Sequence, residues 1–195
     1  MAHGVQNGQE LSAFAAKSQL EQILEVGLHG APELKKEEKE YYLGEFRERV
    51  IKFLTKEQVR ESLVYDEIEQ AIQDPRADKV VVHGELPEQA TAKYQKLALQ
   101  YHKLFTVRQD PLFKGNVGLV VAGKDAVDVE QIEVERRADR LAKLGLPEGL
   151  IQAAGHPICK ACYAKLEQLA PEELKHYSLI SPIAKLFGEK CAAHH

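Results

Sequence analysis

Tyr41-Tyr42-Leu43-Gly44-Glu45-Phe46-Arg47-Glu48-Arg49-Val50, running on to Leu54-Thr55-Lys56-Glu57-Gln58-Val59, is the stretch on which the fold turns. Tyr42, Leu43, Phe46, Val50, Phe53 and Leu54 recur at helical spacing, with Glu45, Arg47, Glu48, Arg49 and Lys52 largely opposite. This pattern predicts one amphipathic helix ending near Leu54 and covering a small sheet. Thr55-Lys56-Glu57-Gln58 matches a capping box, so a second helix is expected to start at Thr55 and to bury Val59, Leu63, Ile68 and Ile72. Asp74-Pro75 closes it.

Downstream, Lys79-Val80-Val81-Val82 is a short β-branched run and reads as a buried strand. Pro87 to Lys103 has helical periodicity, with Ala90, Tyr94, Leu97, Ala98 and Tyr101 inward. Leu104-Phe105-Thr106-Val107 and Val117-Gly118-Leu119-Val120-Val121-Ala122 read as further strands. The strand–helix–strand order predicts a parallel pair joined by a crossover helix. Upstream, residues 1–16 read as a flexible leader and residues 17–26 as a helix. The main α/β domain is therefore expected over residues 17–130. An exposed connecting helix follows at 131–145, and a small helical Cys/His tail at 146–195.

The 195 residues carry a net charge of −4. Residues 17–134 hold 17 Lys/Arg against 22 Asp/Glu, and residues 135–195 hold 9 against 7. An acidic main domain is a poor general binder of polyanions, because counterion release needs several cationic contacts. No apolar run is long enough to span a membrane, and no secretory signal pattern opens the chain. The expected compartment is the cytoplasm, where thiols stay reduced.

A further set of residues runs through this region: Gln22-Ile23, Gly27 and Gly30-x-Pro32, then Tyr42-Leu43-Gly44-x-x-Arg47-Glu48-Arg49-Val50 and Leu54-Thr55-x-x-Gln58-Val59. Tyr65, Tyr94-x-x-Leu97-Ala98, Phe105-Thr106-Val107, Gly118-Leu119-Val120 and Ala126-Val127 complete it. On these residues the chain from about 20 to 128 resembles the YueI-like family of Firmicutes, whose function is not established. His83 stands where the family pattern leads one to expect Asn, and the chain runs on past the usual family end at about residue 140. The resemblance implies an α/β sandwich of the Bacillus chorismate mutase-like type, a type that includes ribosomal proteins binding kink-turn RNA. It implies no activity, since that fold hosts unrelated ones.

The chemistry-bearing residues concentrate in the tail. Cys159-x-x-Cys162 is followed after 28 residues by Cys191-x-x-His194. Two such pairs make a Cys₃His set suited to structural zinc, with no position left open for a catalytic water. His156, His176 and His195 are spare candidates, and a tail this short is expected to have little core without metal. A redox reading of the Cys-x-x-Cys pair is weaker, because a Gly-His-Pro loop rather than a strand precedes it. Arg49, Lys52 and Lys56 would form one stripe on a continuous helix and are the candidate RNA contacts. Glu45, Glu48, Glu57 and Glu61 are interleaved with them, which favours a salt-bridged surface. Kink-turn binders start the corresponding helix with Gly-x-Asn-Glu, where this chain has Thr55-Lys56-Glu57-Gln58. His83 and Glu85 mark a candidate pocket at the carboxyl end of the first strand, with Asp110 and Lys114 nearby in sequence reach. The best overall reading is a non-enzymatic interaction or regulatory protein with an unknown protein partner. RNA binding by the main domain and an enzyme working at the His83 edge are the alternatives.

Overall fold

The deciding stretch does not form the expected helix. In the computed structural model, which describes Glu21 and residues 36–194, α1 (Lys36–Tyr41) stops within it. Leu43 and Gly44 both adopt positive φ, 54° and 86°, a conformation that ends a helix and that glycine accepts without steric cost. A single 3₁₀ turn, Arg47–Arg49, follows. The apolar residues beyond it then enter the core as a strand, β1 (Val50–Thr55). Val50, Ile51, Phe53 and Leu54 are all buried, so β1 is covered on both faces, and Phe46 is half-buried. Of the apolar positions read as one helical stripe, Leu43, Val50, Phe53 and Leu54 are buried and Tyr42 and Phe46 are half-buried; Val50, Phe53 and Leu54 sit on a strand rather than a helix, and Ile51, outside that stripe, is buried as well. The expected leader at 1–16 and helix at 17–26 lie outside the described residues, apart from Glu21.

The capping box forms as read. The Gln58 side chain accepts from the Thr55 backbone N–H at 2.8 Å, and the Thr55 hydroxyl accepts from the Gln58 N–H at 3.3 Å. It opens α2 (Lys56–Arg60), which is short. The chain breaks at 61–65 and restarts as α3 (Asp66–Gln73), where Ile68 and Ile72 are fully buried. Leu63 falls in the break and is only half-buried.

The three downstream runs behave as expected. β2 (Ala77–His83), α4 (Glu88–Gln100) and β3 (Leu104–Arg108) make a strand–helix–strand unit in which β2 and β3 pair in parallel, Val80 opposite Phe105. β4 (Val117–Gly123) is buried at every position and pairs antiparallel with both β1 and β2. The sheet order is β1-β4-β2-β3. Tyr94 and Ala98 of α4 are fully buried. The turn after α1 is tied to the sheet by Glu45, a buried carboxylate between Lys79 Nζ at 3.0 Å and Arg108 Nη1 at 2.9 Å. Arg108 also donates to the Leu43 carbonyl at 2.8 Å.

The chain divides into two compact units. One comprises the described residues up to Arg60 together with Glu67–Ile132, and contains the sheet. The other comprises Glu61–Asp66 together with the described residues from Glu133 onward. Its elements are α5 (Arg137–Lys143), α6 (Glu148–Gln152), β5 (Pro157–Ile158) and α7 (Lys160–Leu169), then a 3₁₀ turn (Pro171–His176). β6 (Ser178–Leu179), α8 (Pro182–Leu186) and a last 3₁₀ turn (Ala192–His194) complete it.

Two expectations about this region are corrected. The helix read as an exposed connector at 131–145 is α5, shorter and built into this unit through Leu141, which is fully buried. The tail also has a core of its own, formed by Leu141, Leu146, Leu150, Ile158, Leu166 and Tyr177 among others. Beside that core lies a buried ion network. Glu173 takes a hydrogen bond from Arg137 Nε at 2.7 Å on one oxygen and from Arg140 Nη2 at 2.7 Å on the other. Arg137 also donates to the Tyr177 hydroxyl at 3.1 Å, and that hydroxyl donates to the Leu150 carbonyl at 2.8 Å.

Candidate metal centre

Cys159 caps the N-terminus of α7, so Cys159 and Cys162 lie one helical turn apart on the same side of the helix start. Cys191, just before the last 3₁₀ turn, and His194 at its end reach the same place, and the turn is closed by a hydrogen bond from the His194 N–H to the Cys191 carbonyl at 3.1 Å. Two contacts fix this approach. The Cys159 N–H donates to Cys191 Sγ at 3.3 Å. A Cβ on Gly149 of α6 would sit 2.7 Å from the Ala193 carbonyl oxygen, so only glycine lets the turn come this near.

The four ligand atoms all lie within 4.8 Å of one another. Cys191 Sγ is 3.8 Å from Cys162 Sγ, and Cys162 Sγ is 3.2 Å from His194 Nε2. Tetrahedral zinc with Zn–S bonds of about 2.3 Å separates two sulfurs by about 3.8 Å. The spacing therefore suits one ion, and the set predicted from sequence is brought together in full. Among the described residues, His156 and His176 are not part of it.

The electrostatics are asymmetric. The Cys162 N–H at the start of α7 stabilises the Cys159 thiolate and holds its pKa below the usual thiol value. Cys162 is buried and crowded by Cys159 and Cys191, which push it up to about 12. Cys159 thus favours the thiolate and Cys162 resists it, and a cation held between them would compensate the charge of the second. The lead-in to the motif differs from expectation, because the two-residue strand β5 precedes Cys159 and pairs in parallel with β6.

The candidate RNA contacts do not form a stripe. Arg49 lies in the first 3₁₀ turn over the Phe46 ring, Lys52 is on β1, and Lys56 is on α2. Lys52 donates to the Gln131 carbonyl at 2.7 Å, and Lys56 pairs with Glu85 at 2.7 Å. The reason is the strand at 50–55, which destroys the three-and-four spacing on which the stripe depended.

The His83 edge is filled rather than open around the imidazole. His83 is 5% exposed, and its ring meets Phe113 edge-on at a centroid distance of 5.8 Å. Its Nδ1 accepts the Glu85 N–H at 3.2 Å, which closes the turn after β2. Burial and the nearby Lys56 charge lower the His83 pKa. Glu85 is exposed and engaged with Lys56. Asp110 lines a separate cavity of about 270 Å³ with Lys39, Glu40 and Arg108.

Residues 17–133 match the model of the family described as "Protein of unknown function (DUF1694)". The chain belongs to this family. The chain is 32% identical over 120 residues to the uncharacterized protein YueI of Bacillus subtilis (strain 168), covering 62% of this chain and 91% of that protein. A crystal structure of the Bacillus subtilis YueI protein matches with a TM-score of 0.51 at 32% identity, covering 62% of this chain and 94% of that one. The α/β assignment agrees with this likeness, and the four metal-type residues lie beyond the family match. Among the described residues no helix is long and apolar enough to cross a membrane.

Proposed function

We propose that this protein is a non-enzymatic interaction protein of the DUF1694 family whose second unit is organised by a structural zinc ion. The observation that carries the reading is the convergence of Cys159, Cys162, Cys191 and His194 at ligand-sharing distances. Four protein ligands fill a tetrahedral shell, which suits a structural ion rather than a hydrolytic one. The ion would neutralise three crowded thiolates and tie the start of α7 to the last 3₁₀ turn, 32 residues away in sequence between Cys159 and Cys191. The reading places the chain in the cytoplasm, where unpaired thiolates stay reduced and available to metal.

Elemental analysis of the full chain, purified without added metal, tests the proposal. About one zinc per chain is expected, with most of it lost in Cys162→Ser and in His194→Ala. A content near zero, together with no uptake of added zinc, would overturn it.

A further inference from the structure

The candidate metal centre forms one wall of a cavity of about 860 Å³ in the second unit. That lies within the range of about 300–1,000 Å³ usual for ligand-binding clefts. Leu179, Ile180 and Pro182 supply apolar wall, and Lys160, Lys185 and Lys190 stand around it with Glu189 as the acid among the lining residues. All four charged side chains belong to exposed residues, and among the described residues the three lysines have no ion-pair partner.

The helix α8, which supplies two of the lining residues, is itself exposed. Pro182 and Lys185 face the cavity. Ile183, Leu186 and Phe187, at three- and four-residue spacing, are 69%, 85% and 85% exposed. Large side chains on one helix face at that exposure mark a surface awaiting a partner. None of the three lines the cavity, so α8 carries a second exposed apolar surface beside the face that Pro182 and Lys185 turn to it. The lining carries three lysines against one glutamate, and this positive excess beside apolar wall attracts and orients negative charge.

We propose that α8 and the adjoining cavity form a docking site for an acidic segment of a partner protein that carries aliphatic anchors. The aliphatic side chains seat against Leu179, Ile180 and the α8 stripe, and the carboxylates meet Lys160, Lys185 and Lys190. The inference rests on the zinc reading, because Cys159, Cys191 and His194 line the same cavity and their fixing by the ion keeps its wall in place.

Fluorescence anisotropy of the zinc-loaded full chain with a short labelled peptide alternating Glu and Leu is the test. A Lys–Leu peptide, a Glu–Ser peptide and a labelled oligouridine serve as competitors for the reading. Binding of the Glu–Leu peptide is expected. It should weaken at least about tenfold in the double variant Lys185→Glu, Lys190→Glu. It should weaken comparably in Leu186→Ser, Phe187→Ser, with zinc content and circular dichroism unchanged in both. No binding of the Glu–Leu peptide, equal binding of the Lys–Leu or Glu–Ser peptide, unchanged affinity in either double variant, or oligouridine binding abolished by the lysine reversals would overturn the docking site. Zinc stoichiometry measured on the same samples separates the two readings. A loaded chain that ignores the peptide defeats docking alone, and a chain that takes up no zinc defeats the metal centre.

Discussion

The two units solve the problem of stability differently. The sheet unit buries continuous apolar strands, with Val80, Val81, Val82, Leu119, Val120 and Val121 wholly inaccessible. The second unit is made of short helices and two-residue strands, and combines a small core with polar devices placed at its joints. Glu173 bridges Arg137 and Arg140, and the Cys₃His group gathers the start of α7 and the last 3₁₀ turn. A region built of short elements can be held by a few strong, directional contacts. Such contacts are less tolerant of single substitutions than a distributed apolar core.

Glu173→Ala should break the contrast most sharply. Its loss leaves buried Arg137 without its counter-charge, at a cost of roughly 3–5 kcal/mol. Hydrogen exchange resolved by mass spectrometry should show protection collapsing from α5 to β6 while β2 and β4 stay protected. Equal loss in both regions would mean that the units do not unfold separately.

A smaller effect is expected from Gly149→Ala. The added methyl meets the Ala193 carbonyl and drives the last 3₁₀ turn off α6, an overpacking cost of about 1–3 kcal/mol partly offset by the better helix propensity of alanine. Because that turn bears His194, zinc affinity measured by chelator competition should fall about tenfold, equivalent to about 1.4 kcal/mol. Affinity unchanged from wild type would show that the turn is not what positions the histidine.

The mildest effect belongs to the sheet unit. Burial lowers the His83 pKa below that of the unfolded chain, so the unfolded state binds more protons as pH falls past the ordinary imidazole value. The stabilisation is complete above about pH 6.5 and is lost as pH drops toward the folded pKa. Protonation also removes the acceptor that Nδ1 offers to the Glu85 N–H. Urea titrations between neutral and mildly acid pH should show this loss, and His83→Asn should flatten it. An equal slope in the variant would assign the dependence to other groups.

The same contrast governs what the sequence discloses. β2, β3 and β4 were legible because β-branched runs bounded by turns carry their geometry locally. The Thr55–Gln58 box was legible for the same reason. β1 was not, because burial on both faces erases strand alternation, and its apolar positions happen to fit a helical period as well. The left-handed backbone at Leu43 and Gly44, which decides the matter, has only the single glycine as its signal. The cysteine and histidine set could be read because ligand chemistry restricts both residue type and spacing. Arg137 and Glu173 could not, since 36 residues separate them and nothing in the charge pattern pairs them. A charged stretch on a helical period looks solvated whether or not one member turns inward.

The residues Glu61–Asp66 belong to the second unit although the chain returns to the sheet unit after them. Tyr65 is buried there, and its hydroxyl accepts the Arg137 N–H at 3.2 Å and donates to Glu61 at 2.8 Å. During synthesis this strip leaves the ribosome some seventy residues before the helix it caps, at a translation rate of about 5–20 residues per second. The early strip therefore waits several seconds for its counterpart, and a fragment beginning at residue 133 would lack the Tyr65 hydroxyl that accepts the Arg137 N–H.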